Sequence, residues 1–401
     1  MNEGQLRAGV TGTFDVLNFG DLLFPLVAEH ELRKRNPGAT LARYSYHEMR
    51  EDVWPYAVRS LGRLPDDIGG LDLLLVGGGH LIRFEKRVAG DYGPADAGLH
   101  HPTGYWLMPT LLALTWGIPV AWNSVGVSPN TPAWARPLLA LALRETPYVS
   151  VRDEPSAQEL KGVCAEARVN VVPDTAFGIR ALLPSAPSET FLSFCSATAL
   201  ARPYIAVQSA RQLVKFSGHV AAAVREARAQ GCAVLELPIG PALGDGTEVV
   251  PIDPAPTRPA AWPNPMLLAE IIANAEAVVA QSLHMSIVAL ACGVPVHRPR
   301  AADDCKYKRL EMFRGVHAWD RKTDAGTAMR SGLGRGTPGA DVEQALAQLS
   351  EHWDAITGLT KQGRTPRPGI AASLIGMCCS SAEQAVGGRS SETRTDAANG
   401  S

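Results

Sequence analysis

Apolar residues fall along this chain in short dense runs. Between the runs they recur every three or four residues. Leu71–Val76 is nearly all apolar, as expected of a strand buried on both faces. Leu6–Gly12, Tyr148–Val151 and Val169–Val172 read as further strands. Asn18-Phe19-Gly20-Asp21 turns into a helix carrying Leu22, Leu23, Leu26 and Val27. Arg152-Asp153-Glu154-Pro155-Ser156 opens another, with Asp153 as its N-cap. Strands alternating with helices predict an α/β fold built on parallel sheets.

A second series follows residues 181–202, whose mixture of Pro and Ser predicts a domain boundary. It reads as a strand at Tyr204–Gln208, a helix at Ala210–Gln230 and a strand at Cys232–Leu237. Next come a helix capped by Asn264, a strand at Ala277–Ala280, and a helix led in by Ser282-Leu283-His284. That helix should stop at Gly293, with Pro295 beyond. Val342–Leu359 reads as the last helix. The expected organisation is two doubly wound domains, 1–182 and 203–330, facing each other across a cleft. A helical extension, 331–379, and a tail, 380–401, complete it. The tail is rich in Ser, Gly, Ala and Thr and reads as disordered. Between Gly240 and Pro265 lies a loop with seven prolines. A loop this long in a compact domain is usually functional.

Composition narrows the picture. With 46% apolar and 19% charged residues among 401, the chain can bury a core in each domain. The formal net charge of −2 supplies no basic field for nucleic acid and no polybasic run for a membrane surface. Ala97–Ala135 lacks any Asp, Glu, Lys or Arg, yet Pro102, Pro109, Pro119 and Pro129 cut it, as do Gly104, Gly117 and Gly126. It therefore reads as a buried helix, Tyr105–Trp116, and a buried strand, Ile118–Ser124, instead of a membrane span. The first residues, MNEGQLRAGVTGTF, lack the apolar core of a secretory leader. Seven cysteines without a CxxC pair suggest neither a zinc site nor a disulfide framework, so a reduced cytoplasmic setting is expected.

In open α/β sheets, ligands sit beyond the C-terminal strand ends. The residues just after each apolar run are thus the candidates. Gly77-Gly78-Gly79 would let backbone approach a ligand closely, although it equally reads as a tight turn. His284 stands at a helix start, where free N–H groups and the macrodipole favour an anion. An imidazole there can move a proton near neutral pH. His80 follows the glycines and is the next candidate. Lysine is scarce, eight against thirty arginines, so Lys306 and Lys308 beside Arg309 are candidate anion ligands. An ordinary solvated helix face would also explain them. GxSxG and HExxH patterns are absent, and Gly77-Gly78-Gly79 is neither a GxGxxG turn nor a P-loop.

Taken in order, these pieces resemble the polysaccharide pyruvyl transferase family. The resemblance is carried by Asn18-Phe19-Gly20-Asp21, by Asp72 with Val76-Gly77-Gly78-Gly79, and by Ser150–Ser156. It continues through Val172-Pro173-Asp174-Thr175-Ala176-Phe177 to Ser282–Leu290 and Gly293-Val294-Pro295. It implies two Rossmann-like domains in a GT-B-like arrangement. It also implies transfer of pyruvate from phosphoenolpyruvate onto a sugar or lipid-linked glycan intermediate, as a ketal, with release of phosphate. Such a protein would serve exopolysaccharide or cell-envelope synthesis and could associate transiently with the membrane face. Phosphoenolpyruvate would be the donor, with no further cofactor and no metal. The family's Ser-x-His maps onto Ser282 and His284. His284, Arg152 and Asp21 are then the catalytic candidates. Asn18, Gly20, Gly77, Gly78, Gly79, His80, Asp174, Ser282, Lys306 and Lys308 are candidate substrate ligands. Asp21 and Asp174 could orient His284, accept a hydroxyl proton or bind sugar. The alternatives are a glycosyltransferase using a nucleotide-sugar donor in the same cleft, or a non-catalytic assembly protein.

Overall fold

The apolar runs become parallel strands because each must bury both faces, and helices on either side cover them. The computed structural model describes residues 5–84, 101–247, 250–252, 254–300, 309–367, 369–370 and 373. The first sheet comprises β1 (Arg7–Thr11), β2 (Thr40–Ser45), β3 (Arg59–Ser60), β4 (Leu73–Val76), β5 (His80–Ile82), β6 (Val120–Val127), β7 (Tyr148–Val151) and β8 (Val169–Val171). Their order is β3-β2-β1-β4-β6-β7-β8, with β5 paired to β6. The second sheet, β9 (Tyr204–Gln208), β10 (Ala233–Leu237), β11 (Ala277–Val279), β12 (Val296–Pro299) and β13 (Val316–Trp319), has the order β10-β9-β11-β12-β13. All ladders within both sheets are parallel.

Both sheets are doubly wound, and one apolar core joins them. It runs from Phe19, Leu22 and Phe24 through Phe177 to Leu268, Met285 and Ile287. The helix Phe19–Arg35 of the first unit therefore packs against the helix Leu283–Ala291 of the second. The last long helix, Ala340–Gly358, returns to the first unit. Its Arg35 and Asp354 pairing, and the bond between Tyr148 and His352, fix it there.

Several elements differ from the expectation. The segment read as Ala210–Gln230 is two helices, Arg211–Val214 and Ser217–Ala229, broken at Lys215 and Phe216. Phe216 leaves the α region, at φ −116° and ψ 20°. The stretch expected to be only a boundary holds a helix, Glu189–Thr198, whose Phe191 enters the shared core. A Ser188 cap starts this helix. The uncharged segment is a 3-10 turn, Pro102–Tyr105, then a helix, Leu107–Trp116, then β6. No helix among the described residues is long and apolar enough to cross a membrane. The tail from 380 lies outside the described residues.

Candidate active site

The C-terminal ends of β1, β4, β6 and β7 in the first sheet face the start of helix Leu283–Ala291. Each candidate is placed by local chemistry. Asp153 caps its helix by accepting from Ser156 N at 2.8 Å, which turns the chain sharply after Arg152. Asp174 caps the 3-10 segment Thr175–Leu182 with Oδ1, 3.0 Å from Ala176 N, leaving Oδ2 for the site. Ser282 caps the histidine helix, accepting from Met285 N at 3.3 Å. Gly77, Gly78 and Gly79 all have positive φ, 79°, 106° and 75°, so the turn after β4 demands glycine.

The result is a buried charge cluster. Asp174 Oδ2 lies 3.5 Å from His284 Nε2 and 3.5 Å from Arg152 Nη1. Arg152 also approaches Asp153, with 3.6 Å from Nε to Oδ2. Asn18 Nδ2 donates to Asp21 Oδ2 at 2.8 Å. The His284 ring lies directly over Gly20, where an added Cβ would sit 1.7 Å from Nδ1. The Phe24 ring meets the His284 ring edge-on, with centroids 5.3 Å apart. Phe24 also fills the space above Gly78, and Asp21 Oδ1 lies where a side chain on Gly79 would be.

The two carboxylates are pushed in opposite directions. Burial raises Asp21 above the ordinary range and outweighs the lowering by the nearby His284 charge, Thr13, Asn18 and Arg152. Asp174 is equally buried, but there burial loses. The hydrogen bond and charge of His284, the Arg152 charge and the Ala176 N–H hold its carboxyl below the ordinary range.

Gln208 Oε1 takes Gln281 N and Ser282 N, at 2.8 and 2.7 Å, and Ser282 Oγ takes Met285 N. These bonds satisfy the two amides just before the histidine helix and one amide of its first turn. His80 is exposed at the rim on β5, with Nε2 3.1 Å from Ser128 Oγ, while Nδ1 and the Arg152 guanidinium crowd the same glycine, Gly126. Lys306 and Lys308 lie outside the described residues.

Two further residues bear on the site; the sequence marked Arg309 only as the neighbour of Lys306 and Lys308, and did not single out His352. Arg309 Nη1 donates to the carbonyls of Arg152 and Val172, at 2.9 and 3.1 Å, at the ends of β7 and β8. With Arg152, Asp174, Phe177 and Phe313 it lines a small pocket between the two units. Burial lowers its guanidinium below the usual arginine value, against the pull of Asp153 and Asp174. His352, far along the chain, bonds Asn123 Oδ1 at 2.9 Å, and Asn123 Nδ2 reaches the Gly77 carbonyl at 3.4 Å. Only its spacing on the last helix was legible, as a core position. Among the described residues, no group of three or more His, Cys, Asp or Glu is arranged to hold a metal ion.

The sequence model of polysaccharide pyruvyl transferases matches residues 18–298, well over half of the chain and all of Asp21, Arg152, Asp174 and His284. The chain belongs to the polysaccharide pyruvyl transferase family. The expected family is therefore the observed one. No curated protein matches the chain in sequence. Among solved structures, the UDP-GlcNAc 2-epimerase of Methanocaldococcus jannaschii superposes with a TM-score of 0.51 at 14% identity, covering 85% of this chain and 99% of that one. The UDP-GlcNAc 2-epimerase of Neisseria meningitidis bound to UDP-GlcNAc gives 0.49 at 12% identity, covering 93% and 99%. A glycosyltransferase of Rickettsia africae gives 0.45 at 9% identity, covering 94% and 98%. The fold of this pyruvyl transferase family member is thus GT-B-like, with two Rossmann-like units, as expected.

Proposed function

We propose that this protein transfers pyruvate from phosphoenolpyruvate to two hydroxyls of a sugar or glycan intermediate, forming a ketal and releasing phosphate. The observation that carries this reading, beyond family membership, is the buried Asp21–His284–Asp174–Arg152 cluster with its oppositely shifted carboxylates. Environments that push two acids apart separate a proton holder from a permanent anion.

The chemistry makes three demands. The donor carries a phosphate and a carboxylate, so it needs cations. Arg152 and Arg309 face the same pocket and supply them. The donor's methylene carbon must gain a proton, giving an oxocarbenium-like centre at the carbon bearing phosphate. His284 delivers that proton, and the ionised Asp174 opposite Nε2 complements the charge. One sugar hydroxyl adds to the cationic carbon and returns a proton to the acid/base group. The second hydroxyl then replaces phosphate on the same carbon, and its proton leaves with the phosphate. Asp21, whose carboxyl burial raises above the ordinary range, is the second group that can take up or return a proton in these transfers. Asn18 orients its carboxyl, Ser282 fixes the histidine helix, and the Gly77–Gly79 turn and His80 line the sugar side.

The test is incubation with phosphoenolpyruvate and a panel of galactosides and mannosides bearing 4,6- or 3,4-diols. Phosphate release and a new ketal methyl signal by NMR are the expected result, lost in His284→Ala and Arg152→Ala. No release with any diol, together with tight binding of UDP, would overturn this reading in favour of a nucleotide-sugar transferase.

A further inference from the structure

The groups that act on substrate come from two sheets, so something must hold the two helix starts in register. Gln208 ends β9 and is buried. Its carboxamide oxygen accepts from both Gln281 N and Ser282 N, the two amides that lead into the His284 helix. Its Nε2 donates to Asp245 Oδ2 at 2.9 Å. The same Asp245 oxygen accepts from Ile239 N and Gly240 N, each at 3.0 Å. The segment so tied then reaches the first unit. Ile239 O accepts from Phe19 N at 3.0 Å, and Ala242 N donates to Leu17 O at 3.2 Å. Phe19 opens the helix that carries Gly20 and Asp21. Neither Gln208 nor Asp245 lines the pocket between Arg152 and Arg309.

The geometry points to Gln208 and Asp245 as positioning residues that lock the His284 helix and the Asp21 helix to each other through one shared hydrogen-bonded hub. The hub rests on the proposed function for its effect on rate, but its effect on the two helix starts is independent of it. One amide satisfies two main-chain donors on the histidine side. One carboxylate oxygen satisfies two more on the loop that docks beside Asn18. Every buried partner is spoken for, so loss of either side chain leaves main-chain N–H groups without acceptors and frees both helix starts together. The loop involved belongs to the Pro-rich segment Gly240–Pro265, which the sequence marked as a long loop where acceptor specificity would lie.

The variants Asp245→Ala, Asp245→Asn and Gln208→Leu test this in the full chain. Asn can place a carbonyl oxygen where Oδ2 stands, so it retains an acceptor for all three donors. Misplacing a reacting group by about 1 Å costs on the order of 100-fold. Asp245→Ala and Gln208→Leu are therefore expected to lose about that factor in kcat, with KM for phosphoenolpyruvate little changed. Asp245→Asn is expected to keep most of the wild-type kcat. Hydrogen exchange supplies a readout that needs no activity. Amides at Gln281–His284 and at Phe19 should lose protection together in Asp245→Ala and keep it in Asp245→Asn. Equal loss in Asp245→Ala and Asp245→Asn, a rise in KM at constant kcat, or unchanged protection in Asp245→Ala would overturn the hub. A wild-type protein without transferase activity would refute the proposed function, and the exchange arm would still decide the hub.

Discussion

Replacing Gly20 by Ala adds one methyl group at the point where the two units touch. Gly20 has an ordinary helical backbone, so alanine brings no torsional strain, and on propensity alone it would stabilise the helix by about 0.5–1 kcal/mol. The obstacle is the imidazole. The new Cβ would lie 1.7 Å from His284 Nδ1, 2.2 Å from Cγ and 2.5 Å from Cε1. Ordinary contact begins near 3.4 Å, so the ring or its helix must retreat by about 1.7 Å. Asp174 Oδ2 is already 3.5 Å from His284 Nε2, the limit of a useful interaction. A shift of that size breaks it. A displacement beyond 1 Å predicts a loss of at least about 100-fold in kcat, roughly 2.7 kcal/mol of barrier. The assay is phosphate release from phosphoenolpyruvate at saturating acceptor, paired with thermal melting. In a His284→Ala background the ring that meets the methyl is gone, so Gly20→Ala should raise Tm there. Wild-type turnover in Gly20→Ala would refute the placement of His284 over Gly20. A fall in Tm in the double variant would show that the methyl acts elsewhere.

Asp21→Asn should lower turnover while raising Tm at pH 7. The folded-state pKa of Asp21 is raised, so the unfolded chain loses this proton first and stability falls as pH climbs above the ordinary aspartate value of 3.8; an unchanged Tm would contradict that. Burial holds His297 and His352 down to about 3, so between pH 6.5 and 3 the unfolded chain binds two protons that the folded chain does not. Stability should therefore fall with acidification by about 2.7 kcal/mol per pH unit from this pair, and His352→Gln should halve the slope in denaturant titrations. Arg309→Met should raise KM for phosphoenolpyruvate about tenfold, some 1.4 kcal/mol, with less effect on kcat, as steady-state kinetics would show.

Local chemistry was legible from the chain. Apolar runs named most strands, and Asp153 and Asn264 were readable as caps because a cap is a contact within three residues. The three glycines after β4 announced a turn that their positive φ values require. The charge-carrying strand Val296–Pro299 was not legible. Val296–Pro299 holds His297 and Arg298 fully buried, which is possible because Glu311 pairs with the arginine and His317 stacks on the histidine. Nothing near in sequence reveals those partners.

The site divides in the same way. The sequence by itself determined the fold family, the strand-end positions and the identities of His284, Arg152, Asp21 and Asp174. Only the tertiary structure decided how they meet. It laid His284 on Gly20, raised the Asp21 carboxyl and lowered that of Asp174, and set Gln208 against the amides just before the histidine helix. It also brought Arg309 and His352 in from segments 130 residues or more away. The reason is physical: capping and turn energies depend on neighbours within a few residues, whereas a pKa or a side-chain contact depends on burial and on charges that approach only when the chain has closed on itself.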